Sequence, residues 1–131
     1  MTINPDISVL EKNICYEFKD KNFLKLALTH SSYVHEKMIN KVESNERNEF
    51  LGDAVLELVS SDFLYHEFPN MQEGELTKLR ASLVCEPSLA AAAREIGLPD
   101  FINLGVGENK TGGRKRDSVT SDAFESVIGA S

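Results

Sequence analysis

Apolar positions recur along this chain at helical intervals almost from end to end. Ile7, Leu10, Ile14, Cys15 and Phe18 keep that interval over Ile7–Phe18. Phe23, Leu24, Leu26 and Ala27 begin a second short helix, which ends near Thr29-His30-Ser31-Ser32. The polar stretch from His35 to Asn45 reads as a helix end and a loop, with Asn45 as the N-cap of the next helix. The longest periodic segment is Glu46–Phe68. Phe50, Leu51, Ala54, Val55, Leu58, Val59 and Phe63 form one apolar stripe on it, expected to face the core, and Pro69-Asn70 end it. Glu73–Val84 predicts a further helix with Leu76, Leu79, Leu83 and Val84 inward. Glu86-Pro87-Ser88 opens another, since proline is tolerated in a first turn, and Gly97 with Pro99 closes it. Leu104–Gly113 reads as a glycine-bearing loop. The last helix starts near Asp117 or Ser118, with Val119, Ala123, Phe124, Val127 and Ile128 on one side. Period-two alternation and Asn-Gly or Asp-Gly turns are absent, so the expected class is all-α.

Length and composition narrow the picture. A chain of 131 residues fits one domain and can bury a core without cross-links. Its hydrophobic fraction of 41% and charged fraction of 27% are those of a soluble globular protein. No apolar run reaches the roughly 18 residues of a membrane span. MTINPDISVLEKN lacks the basic-then-apolar order of an export signal, so a cytoplasmic location with no membrane partner is expected. Cys15 and Cys85 are too few for a disulfide framework and read as inert buried thiols. The helical pattern is still running at Ser131, with no glycine or proline to cap it. The sequence therefore reads as one domain over 1–131, cut within its last helix.

The chemistry concentrates on two helices. Glu49 and Asp53 are four apart, hence on one face and one turn apart. They border apolar residues, which places them at a core boundary. Gly52 lies inside the same helix, where it costs about 1 kcal/mol relative to alanine. A glycine there points to the close approach of another backbone or a ligand. Asp122 and Glu125 repeat the theme, three apart on the last helix. Two such helices can cross and gather four carboxylates, which cannot all ionise cheaply at close range. A hard cation relieves that repulsion. Mg²⁺ takes oxygen ligands, is often shared with substrate phosphates, and can serve both the attacking and the leaving oxygen of a phosphodiester displacement. Spacing alone leaves two readings open, a metal site or four solvated acids among the 21 acidic residues.

The motifs themselves go further. NERNEFLGDAVLELVSSDFLY (45–65) closely resembles the signature helix of the ribonuclease III family. LKLALTHSSY (24–33) resembles its early helix and turn, and EGELTKLRASLV (73–84) with LAAAAREIGL (89–98) its middle helices. LGVGENKTGGRKRDSVTSDAFESVIGA (104–130) resembles its closing motif. The resemblance implies an all-α endonuclease domain, a helical bundle forming a two-fold homodimer. It implies hydrolysis of double-stranded RNA, in RNA processing, with Mg²⁺ or in its place Mn²⁺, leaving 5′-phosphate and 3′-hydroxyl ends. By position, Glu49, Asp53, Asp122 and Glu125 match the family's metal-binding and catalytic carboxylates, with Asp53 and Glu125 the most direct. Phe50 matches an aromatic residue that plugs into the partner subunit. Glu46 and Glu73 match acidic positions near the interface or the scissile region.

The basic stretch holding Lys110, Arg114, Lys115 and Arg116 offers phosphate contacts. His30 reads as a helix-end hydrogen-bonding group rather than a general base. The net charge of −7 opposes a role on RNA unless metal ions neutralise the acids or a basic module outside this chain supplies affinity. No double-stranded-RNA-binding domain is recognisable within 1–131. The alternative to an enzyme is a non-catalytic RNA-binding or dimerisation module of the same fold.

Overall fold

The structure, a computed structural model, describes residues 6–37 and 43–131. Eight α-helices run in order among these residues: α1 (Ile7–Ile14), α2 (Lys21–Ala27), α3 (Ser31–Glu36), α4 (Glu46–Glu67), α5 (Glu73–Val84), α6 (Glu86–Glu95), α7 (Val106–Lys110) and α8 (Asp117–Ala130). The described residues hold no strand, only an isolated bridge between Thr29 and Asn103. The expected all-α class is what is found. Residues 38–42 of the loop segment His35–Asn45 fall outside the described ones. No described helix is long and apolar enough to cross a membrane.

Caps account for several boundaries. The side chains of Asp6 and Asp20 accept the backbone N–H groups of Ser8 and Asn22 at 3.0 and 2.9 Å, which starts α1 and α2. His30 does the same for α3, its Nδ1 accepting Ser32 N–H at 3.1 Å. The helix-end reading of His30 therefore holds. It opens a short helix, α3, which periodicity did not reveal. Asn45 stands at the N-cap position of α4 but makes no side-chain cap bond, and its amide nitrogen is buried without a partner.

The first helix is shorter than its apolar spacing predicts. Cys15 adopts a left-handed conformation at φ 57° and stops α1 at Ile14. Glu11, almost fully buried, then pins the turn. Its carboxylate accepts Phe18 N–H at 2.7 Å and the Lys21 ammonium at 2.6 Å. Phe18 reaches the core by this turn rather than as part of the helix.

α8 runs through the centre. Val119, Thr120, Ser121, Ala123, Glu125, Ser126 and Val127 are all buried on it. It packs against α2, α4 and α6, its contact with α4 being the most extensive in the molecule. Small residues permit this: Ala90 and Ala93 of α6 and Ala123 of α8 are fully buried. Leu10, Leu24, Leu28, Leu98 and Ile102 complete the core.

Three expectations of burial are corrected. The apolar stripe of α4 faces outward: Phe50 is 82% exposed and Leu58 72%, with Leu51, Val59 and Phe63 more than half exposed. Helical periodicity shows that a helix has an apolar face but not what covers it. On α5, Leu83 is exposed, and Leu76, Leu79 and Val84 are only half-buried. Both cysteines are exposed rather than buried, because they occupy helix ends, Cys15 after α1 and Cys85 between α5 and α6.

Candidate active site

The helix crossing explains Gly52. A Cβ there would overlap the carbonyl oxygen of Glu125, and one on Gly129 would overlap that of Asn48. α4 and α8 thus touch backbone to backbone at two glycines. The close approach expected from Gly52 is made by the helix that carries the second pair of acids.

That contact gathers the carboxylates. Oxygens of Glu49, Asp122 and Glu125 all lie within 4.8 Å of one another. Glu125 is buried, whereas Glu49 and Asp122 are half-buried. Burial, then its hydrogen bond and charge interaction with Asp53, push the Glu125 carboxyl up to about 8. Burial, then the charge of Asp122, raise Glu49 to about 7. Asp122 is raised by burial too, although the proton it accepts from Glu49 and the nearby His30 pull the other way. Asp53, exposed, completes the quartet from the rim through its bond to Glu125 and does not belong to the compact trio.

The electrostatics carry a pH dependence. Glu49 and Glu125 keep protons in the fold at pH values where the unfolded chain, near the ordinary 4.5, has lost them. The folded state then binds more protons, so stability must fall as pH rises. In EDTA, the melting temperature is expected to decline between about pH 4.5 and 8. Thermal melts across that range check this. A melting temperature that is flat or rising there would mean that the acids do not crowd as described.

The remaining predicted residues are more scattered. Glu46, at the start of α4, is exposed and close enough for its charge to act on Glu49. Phe50 projects from α4 into solvent. Glu73 is exposed at the start of α5. In the basic stretch, Arg114 donates to the carbonyls of Pro99 and Ile102 at 2.5 and 2.8 Å. Arg116 donates to Glu108 and to Thr111 O. Those two guanidiniums hold the loop together, Arg114 half-buried and Arg116 exposed, and Lys110 and Lys115 are exposed beside them. The stretch is also more structured than expected, containing α7 and a 3-10 turn at Gly113–Lys115. Two groups near Asp122 had no signal in the sequence: His30 and Glu86, both close enough to bear on its charge. They come from the start of α3 and the start of α6, so no sequence spacing links them to it.

Fold and site together define an all-helical domain that gathers carboxylates where its two longest described helices cross. The chain belongs to the ribonuclease-III-like family, whose model matches residues 20–131. It is 51% identical over 121 residues to Ribonuclease 3 of Listeria monocytogenes serotype 4a, covering 92% of this chain and 53% of that protein. With Ribonuclease 3 of Pelotomaculum thermopropionicum it shares 52% over 124 residues, covering 95% and 52%. The chain thus spans about half the length of the curated relatives it matches. The crystal structure of the nuclease domain of ribonuclease III from Campylobacter jejuni superposes with a TM-score of 0.87 at 50% identity, covering 95% of this chain and 81% of that one. A second structure of that domain, described as flexible in a region involved in dimer formation, gives a TM-score of 0.88.

Proposed function

We propose that this chain is the endonuclease domain of a ribonuclease III type enzyme. In this reading it hydrolyses double-stranded RNA with a divalent cation held by Glu49, Asp53, Asp122 and Glu125. The observation that carries the proposal is the convergence of Glu49, Asp122 and Glu125 oxygens within 4.8 Å at the α4–α8 crossing. The donor set fits Mg²⁺ or Mn²⁺: all oxygen, all acidic, and crowded enough that two members resist ionisation until a cation compensates them. When bound, such a cation polarises the phosphoryl oxygen and activates water for in-line attack. The protein's own part is to hold these oxygens together, with Glu125 buried at the base and Asp53 open to substrate at the rim.

Exposed Lys110 and Lys115 offer phosphate contacts, and Glu46 and Glu73 lie on the exposed first turns of α4 and α5. A-form RNA would be gripped by shape, 2′-hydroxyls and phosphates rather than by base edges. The ends of the products test the chemistry. Water attacking in line with the 3′ oxygen expels that oxygen and leaves 5′-phosphate and 3′-hydroxyl termini, so the fragments should be substrates for a 5′-phosphate-dependent exonuclease. Fragments with 5′-hydroxyl and cyclic phosphate ends would mean attack by the RNA's own 2′-hydroxyl and would refute the proposed reaction. A duplex that binds and stays intact would instead favour the non-catalytic module.

The outward stripe of α4 supports a homodimer. A monomer rarely exposes a contiguous apolar patch of more than a few hundred Å², and such patches mark association surfaces. Phe50 is the most exposed large apolar residue of the stripe and its natural anchor. Phe50→Ala is expected to weaken dimerisation by about 2 kcal/mol, or about 30-fold. Sedimentation equilibrium would detect this, and an unchanged dimer constant would place the interface elsewhere.

A further inference from the structure

We propose that Ser126 is a positioning residue for the carboxylate cluster, its buried hydroxyl fixing the register of α8 against the first turn of α4. This inference rests on the cation-site reading above. Ser126 directly succeeds Glu125 in the chain and lies one turn beyond Asp122. Its side chain is completely buried. The hydroxyl lies 2.9 Å from the backbone oxygen of Asn45 on α4's side and 2.9 Å from that of Asp122 in its own helix. Its single proton is shared between the two.

Asn45 is itself held on both sides. Its N–H donates to Thr29 O at 2.8 Å, and its oxygen also accepts Glu49 N–H at 2.9 Å. A carbonyl has two lone pairs, so Asn45 O can serve Glu49 and Ser126 together. One oxygen atom therefore links the backbone that carries Glu49 to the helix that carries Asp122 and Glu125.

The glycine contacts cannot do this alone. Gly52 against Glu125 and Gly129 against Asn48 set how near the helices come. Van der Waals contact between smooth backbones resists approach but resists sliding only weakly. A hydrogen bond is directional and opposes sliding. The Ser126 bond holds the oxygens at cation-binding distance before a cation arrives.

The test uses the whole chain without RNA, at pH 8, with Mn²⁺ alone as probe and calorimetry as readout. Ser126→Ala keeps the helix and the packing and removes only the tie. It is expected to bind Mn²⁺ about tenfold more weakly, the scale seen when a group that orients metal ligands is lost. On an RNA duplex at limiting Mg²⁺, kcat should fall while KM stays near the wild-type value. Val127→Ala, in the core on the same helix, serves as the control for stability. It should lower the melting temperature at least as much and leave Mn²⁺ affinity unchanged. Wild-type affinity in Ser126→Ala, or an equal loss in Val127→Ala, would overturn the positioning role. If wild type and Glu125→Gln bind Mn²⁺ equally, the cation-site reading itself fails, and that outcome is distinct from the other two.

Discussion

Glu125→Gln is expected to lower cleavage of an RNA duplex by more than about a hundredfold, beyond the range for a group that merely orients a metal ligand. The substitution preserves shape and replaces the most buried member of the cluster by a neutral group that cannot ionise to hold a cation. The fold should survive it for a specific reason. Burial and its bond with Asp53 already raise Glu125 to about 8, so in the metal-free protein it is largely protonated at neutral pH. Glutamine resembles that protonated form. The variant should therefore melt no lower than wild type in EDTA at pH 8, and should still dimerise and bind duplex. Single-turnover cleavage with Mg²⁺, alongside a thermal melt, separates the two effects. Wild-type cutting by this variant would remove Glu125 from the chemistry.

Gly52→Ala should do most of its damage through the fold. Alanine improves helix propensity by about 1 kcal/mol, so an exposed site would gain stability. Here the new Cβ would overlap Glu125 O, lie 2.5 Å from the Glu125 carbonyl carbon and 3.1 Å from Gly129 N. These are backbone atoms of the central helix and cannot swing aside as a flexible side chain would. α4 and α8 must separate, at a cost of about 1–3 kcal/mol, occasionally more. The carboxylates of the two helices move apart with them. A lower midpoint in urea unfolding together with a loss of Mg²⁺-dependent activity is the expected pair of results. Wild-type stability in Gly52→Ala would contradict the backbone contact.

Much of this site was legible in the sequence because it is local. Glu49 with Asp53, and Asp122 with Glu125, each share one helix face by spacing alone, and Gly52 announced a close neighbour. The motifs around them then supplied the family. Contributions from distant segments were not legible. His30, at the N-cap of α3, and Glu86, at the start of α6, which packs on α8, both bear on Asp122 from distant sequence. The Asn45–Ser126 bond spans 81 residues of sequence. The separation of Asp53 from the compact trio depends on where α8 crosses α4, which periodicity does not specify. The fold shows the same division. α4, α5, α6 and α8 were set out by strong periodicity, with Pro69 ending α4, and Pro87 and Gly97 bounding α6. α3 and α7 are too short to show a period, and a left-handed cysteine stops α1 where no glycine marks the place. The outward stripe of α4 was recognised as apolar but, apart from Phe50, which the resemblance placed at a partner interface, it was expected to face the core. The core side of that helix is defined by Gly52 and the small residues of α8 instead.

Charge ties the site to its substrate. A net charge of −7 gives no long-range attraction for a polyanion, so any grip on RNA would rest on local cations such as Lys110 and Lys115, whose phosphate contacts weaken as salt rises. The most direct test is therefore a labelled RNA duplex incubated with the chain at low salt, with Mg²⁺ in one arm and EDTA in the other. Site-bound cation chemistry at Glu49, Asp53, Asp122 and Glu125 predicts short duplex fragments with Mg²⁺ and intact RNA with EDTA. Equal cutting in both arms, or a bound duplex that stays whole in Mg²⁺, would contradict it.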